Sequence, residues 1–137
     1  MNTQAGSPDP DRRRHKRLSE IFVVSYQLKA IVPMSAVSDG KEFAGVGVDI
    51  SEAGLGIDLA EPITDSALVI MRFRLINDLS SSSAQRERLF RLEGECRYCE
   101  PTSKESFRAG LLFKGVTDED RDFIAAYVKD QTLAKVE

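Results

Sequence analysis

Two short stretches carry side chains able to do chemistry. The first is Arg12-Arg13-Arg14-His15-Lys16-Arg17, five cations and one histidine in succession. A planar guanidinium bonds two acceptors in parallel, and guanine presents O6 and N7 side by side in that geometry. The same plane stacks on a base, and its charge suits a phosphate. Arg13 and Arg17 are four apart, with Arg12 directly before the pair. The second stretch is Asp49-Ile50-Ser51-Glu52-Ala53-Gly54. Asp49 offers an acceptor carboxylate, Ser51 a hydroxyl that donates and accepts, and Gly54 a position with unusual backbone freedom that also lets a ligand come close. Taken singly, each has an ordinary explanation: a solvated basic tail and a hairpin corner.

Enzymatic chemistry is poorly served. His15 is the single histidine and sits in the basic tract, so a Ser-His-Asp site would have to be built on a mobile segment. There it is a bystander that adds positive charge below neutral pH. Gly40-Lys41 lacks the spacing and the following hydroxyl of a phosphate-binding loop, and Gly54-x-Gly56 meets Leu59 where a dinucleotide fingerprint needs glycine. Cys96-x-x-Cys99 has no second pair to complete a zinc site, and regular alternation would point the two side chains to opposite faces of a strand. Both cysteines are expected to be structural.

The chain has 137 residues and a net charge of −3, which suits one domain and argues against a general nucleic-acid binder. A cationic patch on a mildly acidic body points instead to a small anionic partner. No signal-peptide pattern opens the chain and no apolar run is long enough to span a bilayer, so a reducing, cytoplasmic setting without membrane insertion is expected.

These residues need elements to position them. Residues 1–11 are polar and proline-containing and are expected to form a flexible tail. Apolar and other residues then alternate with period two in six stretches: Phe22 to Val32, Phe43 to Ile50, Leu55 to Leu59, Ala67 to Leu75, Leu89 to Tyr98 and Phe107 to Phe113. Val46, Val48 and Ile50 fall together on one face of the second, and Cys96 and Tyr98 join Phe90 and Leu92 on one face of the fifth. Asn77 to Glu87, with its four serines, reads as a long mobile loop, and Pro101 to Ser106 as a turn. The period changes at Thr117, an N-cap followed by three acidic residues; Phe123, Ile124, Tyr127 and Val128 then share one helical face. The expected fold is mainly β: a six-stranded antiparallel barrel over residues 22–114, a C-terminal α-helix over 117–133, and a flexible arginine-rich segment at 12–17. Its apolar faces form a core with little room for a cofactor.

Arg13-x-x-x-Arg17 before a strand, then Asp49-x-Ser51-x-x-Gly54 entering a second hairpin, resembles the PilZ family of cyclic-di-GMP receptors over roughly residues 11 to 130. The resemblance implies one PilZ domain spanning 12–133 and no cofactor beyond the ligand, cyclic-di-GMP. It implies that Arg13 and Arg17 bind guanine and phosphate, that Arg12 is available to stack a further base, and that Asp49 and Ser51 hydrogen-bond a guanine or the sugar-phosphate ring. Gly54 shapes the turn. Three successive arginines leave the register open, with Arg14 as an alternative. The function implied is a non-catalytic receptor acting on a downstream protein in motility, polysaccharide or other surface-related output. The competing readings are a protein-interaction adaptor of the same fold and a small RNA-binding barrel. The latter would require exposed aromatic side chains, whereas these aromatics fall mostly on inward positions.

Overall fold

The computed structural model describes residues 17–29, 41–80, 86–103 and 105–136. Six strands appear: β1 (Leu18–Leu28), β2 (Glu42–Ser51), β3 (Gly54–Leu59), β4 (Leu68–Ile76), β5 (Glu87–Ser103) and β6 (Ser106–Lys114). One helix follows, α1 (Asp118–Val136). All neighbouring strands are antiparallel, and they close into a ring in the order β1-β2-β3-β6-β5-β4.

The inward positions are those that alternation marks on most strands. Val24 and Tyr26, Leu55 and Ile57, Val69 through Leu75 at every second residue, Phe90 and Leu92, and Ala109, Leu111 and Phe113 are all buried. Phe73 lies at the centre of an aromatic group, with ring centroids 5.6 Å from Phe22, 4.9 Å from Phe90 and 6.4 Å from Phe113. Side chains, not a ligand cavity, fill this end of the ring.

Four register shifts interrupt the strand pairing, the last of them between Pro101 and Ser103 near the C-terminal end of β5. Between Ser19 and Phe22 two residues of β1 face one of β2, and between Gly47 and Asp49 the pairing of β2 with β3 slips. A bulge of this kind turns the strand's following residues to the other face. Val46, Val48 and Ile50 therefore do not share a face, as the sequence suggests. Val46 is on the outside, 41% exposed, while Gly47 and Ile50 face in. β1 begins at Leu18, which pairs with Ile50 and is buried, rather than at Phe22. Residues 30–32, expected in the same strand, lie outside the described residues. The third shift, between Cys96 and Tyr98, turns Tyr98 out of the expected inward row.

β5 runs on to Ser103, through the stretch expected to turn, because Glu100, Pro101 and Ser103 continue to pair with β6. Asn77 is not part of a free loop. It is buried, its Nδ2 donates to Asp130 Oδ2 at 3.0 Å, its Oδ1 accepts from Gln131 Nε2 at 3.4 Å, and its amide donates to the Arg86 carbonyl at 2.6 Å. Residues 81–85 lie outside the described residues.

Gly115, at φ +67°, supplies the left-handed step between β6 and α1. Thr117 caps the helix, its Oγ1 accepting from the Asp120 amide at 3.1 Å. Phe123, Ile124, Tyr127 and Val128 are buried, with Phe123 edge-on to Phe90 at 5.8 Å. Arg88 to Asp120 at 2.7 Å and Lys135 to Glu20 at 3.2 Å fasten the helix to β5 and β1.

The β2 register makes a stability prediction. Ile50→Ala should cost about 2–5 kcal/mol, and Val46→Thr, on the outer wall, less than about 0.5 kcal/mol in urea unfolding. Equal costs would contradict this register.

Candidate functional site

Asp49 stands on the outer wall, held from two strands. Its Oδ1 accepts from Arg17 Nη1 at 2.6 Å and from the Gly56 amide at 3.0 Å. Arg17 directly precedes β1, whose Ser19 pairs with Asp49 across the first bulge. The strand pairing thus delivers the last arginine of the basic tract onto the Asp49 carboxylate, 32 residues away in sequence. The two side chains are about 30% exposed, so the ion pair contributes at most ~1 kcal/mol to stability. Its consequence is positional: a guanidinium and a carboxylate are held side by side and remain open to solvent.

Ser51 is placed differently. It closes β2, is 2% exposed, and its Oγ accepts from the Ala53 amide at 3.1 Å. The hydroxyl braces the Glu52–Ala53 turn and retains a proton to donate. Gly54 pairs with Ser51 and Leu112 and has no left-handed φ, so the backbone freedom expected of it is not used. Close packing requires it instead, since a Cβ there would lie 2.1 Å from the Leu111 carbonyl oxygen. The Ala53 carbonyl accepts from the Phe113 amide at 2.8 Å, which ties the turn to β6.

Beside Asp49 the outer wall is bare. Its neighbour on β3 is Gly56, next to Gly110 on β6. A Cβ on Gly56 would sit 3.0 Å from both carboxylate oxygens of Asp49, which therefore lie directly over it. One outward row further along are Asp58 and Arg108, an ion pair. The Asp58 hydrogen bond raises the pKa of the Arg108 guanidinium, and Tyr98 and Asp49 add to that effect through space. A carboxylate and two guanidinium groups, on a wall whose middle strands carry no side chain in this row, can together accept and donate hydrogen bonds to a flat anionic ligand. Arg108 carried no signal in the sequence, lying in an ordinary alternating strand. Arg12, Arg13, Arg14 and His15, and the expected flexible tail, lie outside the described residues.

The cysteines do not point to opposite faces. The third register shift pairs Cys96 with Leu111 and Cys99 with Ala109, both inward residues, so the two side chains face the same interior. Cys96 is buried and donates to the Tyr98 carbonyl at 3.3 Å. Among the described residues no group of three or more histidine, cysteine or acidic side chains converges as a metal site would.

A family model described as the PilZ domain matches residues 11–130, and the chain belongs to that family. Among solved structures, the Bacillus subtilis inhibitor of motility MotI/DgrA is similar at TM-score 0.70 and 17% identity, over 92% of this chain and 54% of that one. The K. pneumonia MrkH complex with c-di-GMP gives 0.59 and 14%, over 91% and 54%. The PilZ domain of Escherichia coli YcgR with c-di-GMP gives 0.59 and 15%, over 91% and 95%. The chain thus spans about half the length of the first two and nearly all of the third. At these identities the likeness is one of fold. No curated protein matches the chain in direct sequence comparison.

Burial raises the Cys96 thiol from its ordinary value of 9.0 to about 11, with Cys99 and Asp65 adding to the shift. Above pH 9 the unfolded chain releases this proton first and so binds fewer protons than the folded one. Stability should fall as pH rises from about 9 towards about 11. Urea midpoints across that range should show the decline, with a shallower slope for Cys96→Val; identical slopes would contradict the burial of an un-ionised thiol.

Proposed function

We propose that this PilZ-domain chain is a non-catalytic, cytoplasmic receptor for cyclic-di-GMP that signals by changing shape toward a protein partner. One observation carries the reading: Arg17, the end of the arginine motif, meets Asp49, the start of the Asp-x-Ser-x-x-Gly motif, on an open stretch of outer wall. Two sequence signals that are weak apart belong to one surface.

The chemistry follows from the donor inventory. Asp49 accepts from the N1–H and exocyclic amine of guanine, which offer two adjacent donors to one carboxylate. Arginines of the basic tract take the O6/N7 edge and the phosphates. Arg12, preceding the Arg13/Arg17 pair, is placed in sequence to cover a second stacked ligand. Ser51, buried with its Oγ on the Ala53 amide, and Gly54 hold the turn in shape from within. The Arg17–Asp49 pair contributes little to stability, so a ligand that partners both groups displaces it at small cost. Binding orders the arginine segment over the wall, and the new face is what a partner reads; ligand and partner affinities are then linked reciprocally. The solved c-di-GMP complexes of the YcgR PilZ domain and of MrkH, similar in fold, support this choice of ligand.

Titration calorimetry should give micromolar or tighter binding of cyclic-di-GMP, at a ratio near two that falls towards one in Arg12→Ala. Asp49→Ala should weaken binding at least about tenfold, the loss of a hydrogen bond to a charged acceptor, and Ser51→Ala should weaken it less, both with circular dichroism unchanged. Cyclic-di-AMP, whose exocyclic amine donates where guanine accepts, should bind poorly. Equal affinity for the two dinucleotides would reject guanine readout; no heat with either would favour the adaptor reading.

A further inference from the structure

The bare wall has a far side. From Asp49 the ladder of directly paired, outward residues runs Ser19, Asp49, Gly56, Gly110, Tyr98, across β1, β2, β3, β6 and β5. Tyr98 belongs to this row because of the third register shift, which leaves Arg97 without a partner on β6. Cys96 before it and Cys99 after it both face the interior, while Tyr98 is 44% exposed. Its ring lies across Gly110, where a Cβ would meet ring carbons at 2.3 to 2.9 Å. Asp49 leans over Gly56 from the opposite side. The two middle strands present no side chain of their own here, and the Asp49 carboxylate and the Tyr98 ring lie over their two buried glycines. The Cα atoms of Asp49 and Tyr98 are three strand spacings apart, about 14 Å, and both side chains lean in. The Arg108 guanidinium lies close enough to feel both Asp49 and Tyr98.

We propose that Tyr98 is a stacking residue of this site, taking the face of a purine base of the ligand whose other polar contacts are made at Asp49. This rests on the receptor reading above and adds a residue that neither motif contains. An aromatic plane laid over one glycine, with a hydrogen-bonding carboxylate over the next, suits a ligand with flat rings joined by a polar ring. The phenol ring supplies area that every base can use, and the carboxylate supplies the discrimination. Tyr26 and Tyr127 are buried, so among the described tyrosines Tyr98 alone is open to solvent. An ordinary structural role, a ring shielding a strand glycine, accounts for its position but predicts no effect on binding beyond any effect on stability.

The test uses the whole chain and cyclic-di-GMP. Tyr98→Phe should bind within about twofold of the unmodified protein, and Tyr98→Leu about five- to 150-fold more weakly, the range for losing one base stack. In the unmodified protein the Tyr98 ring resonances should move upfield on saturation under the ring current of a stacked purine, while those of Tyr26 and Tyr127 stay in place. Unchanged affinity in Tyr98→Leu together with stationary Tyr98 resonances would overturn the stacking role and leave the receptor reading intact. Absence of binding to the unmodified protein would overturn both.

Discussion

A β-strand shows alternate residues to opposite faces, and this ring departs from that constraint where Asp49 on β2 and Tyr98 on β5 turn outward. Had β2 alternated without interruption from Gly45, Ile50 would face water and Asp49 the core, where an unpaired carboxylate costs several kcal/mol. The slip after Gly47 puts Ile50 into the core and Asp49 onto the wall. On β1 Ser19 comes level with Asp49 and Leu18 with Ile50, so Arg17, just before the strand, reaches the Asp49 carboxylate. The slip in β5 turns Tyr98 out into the same row. The slips in β2 and β5 both border the candidate site, while the shift between Pro101 and Ser103 lies at the C-terminal end of β5.

What the bulges place, the packing keeps in position. Gly54 fits flush against the Leu111 carbonyl, the Ala53 carbonyl is bonded to Phe113, and the Gly56 amide fixes one oxygen of Asp49. Side chains anchored this way arrive already oriented, so a ligand loses little freedom in meeting them. The ion pair of Arg17 with Asp49 on top is partly exposed, and under the proposed function it is the contact a ligand replaces. Farther off, α1 combines a buried aromatic face with polar attachments at Asn77, Arg88 and Glu20.

Much of this was legible beforehand because period-two alternation and helical spacing report burial directly. The faces of β4 and β6, the capped start of α1 and its buried face all stand where the residues imply. The departures share one cause. In Gly45 to Ile50 small and apolar residues alternate so regularly that a slipped register looks identical to an unbroken one, and Val46 and Tyr98 are each assigned to the wrong side. Leu18 is hidden because a basic tract runs up to it. Asn77 sits at the head of a serine-rich polar stretch, where composition indicates a loop and only the partners on α1 indicate burial. Pro101 suggests a turn, yet its pairing with β6 continues. The motif residues were visible as types and spacings, while the meeting of Arg17 with Asp49, and the roles of Arg108 and Tyr98, depend on pairings between strands far apart in sequence.

The central claim is that the ligand lies on the outer wall along the row from Asp49 to Tyr98, and amide chemical-shift mapping during a cyclic-di-GMP titration tests it most directly. The largest changes are expected at Arg17, Gly56 and Gly110, with little change at Arg72 and Arg91, which pair across β4 and β5 on another side of the ring. Changes concentrated at Arg72 and Arg91, with Gly56 and Gly110 unmoved while the ligand is bound, would contradict it.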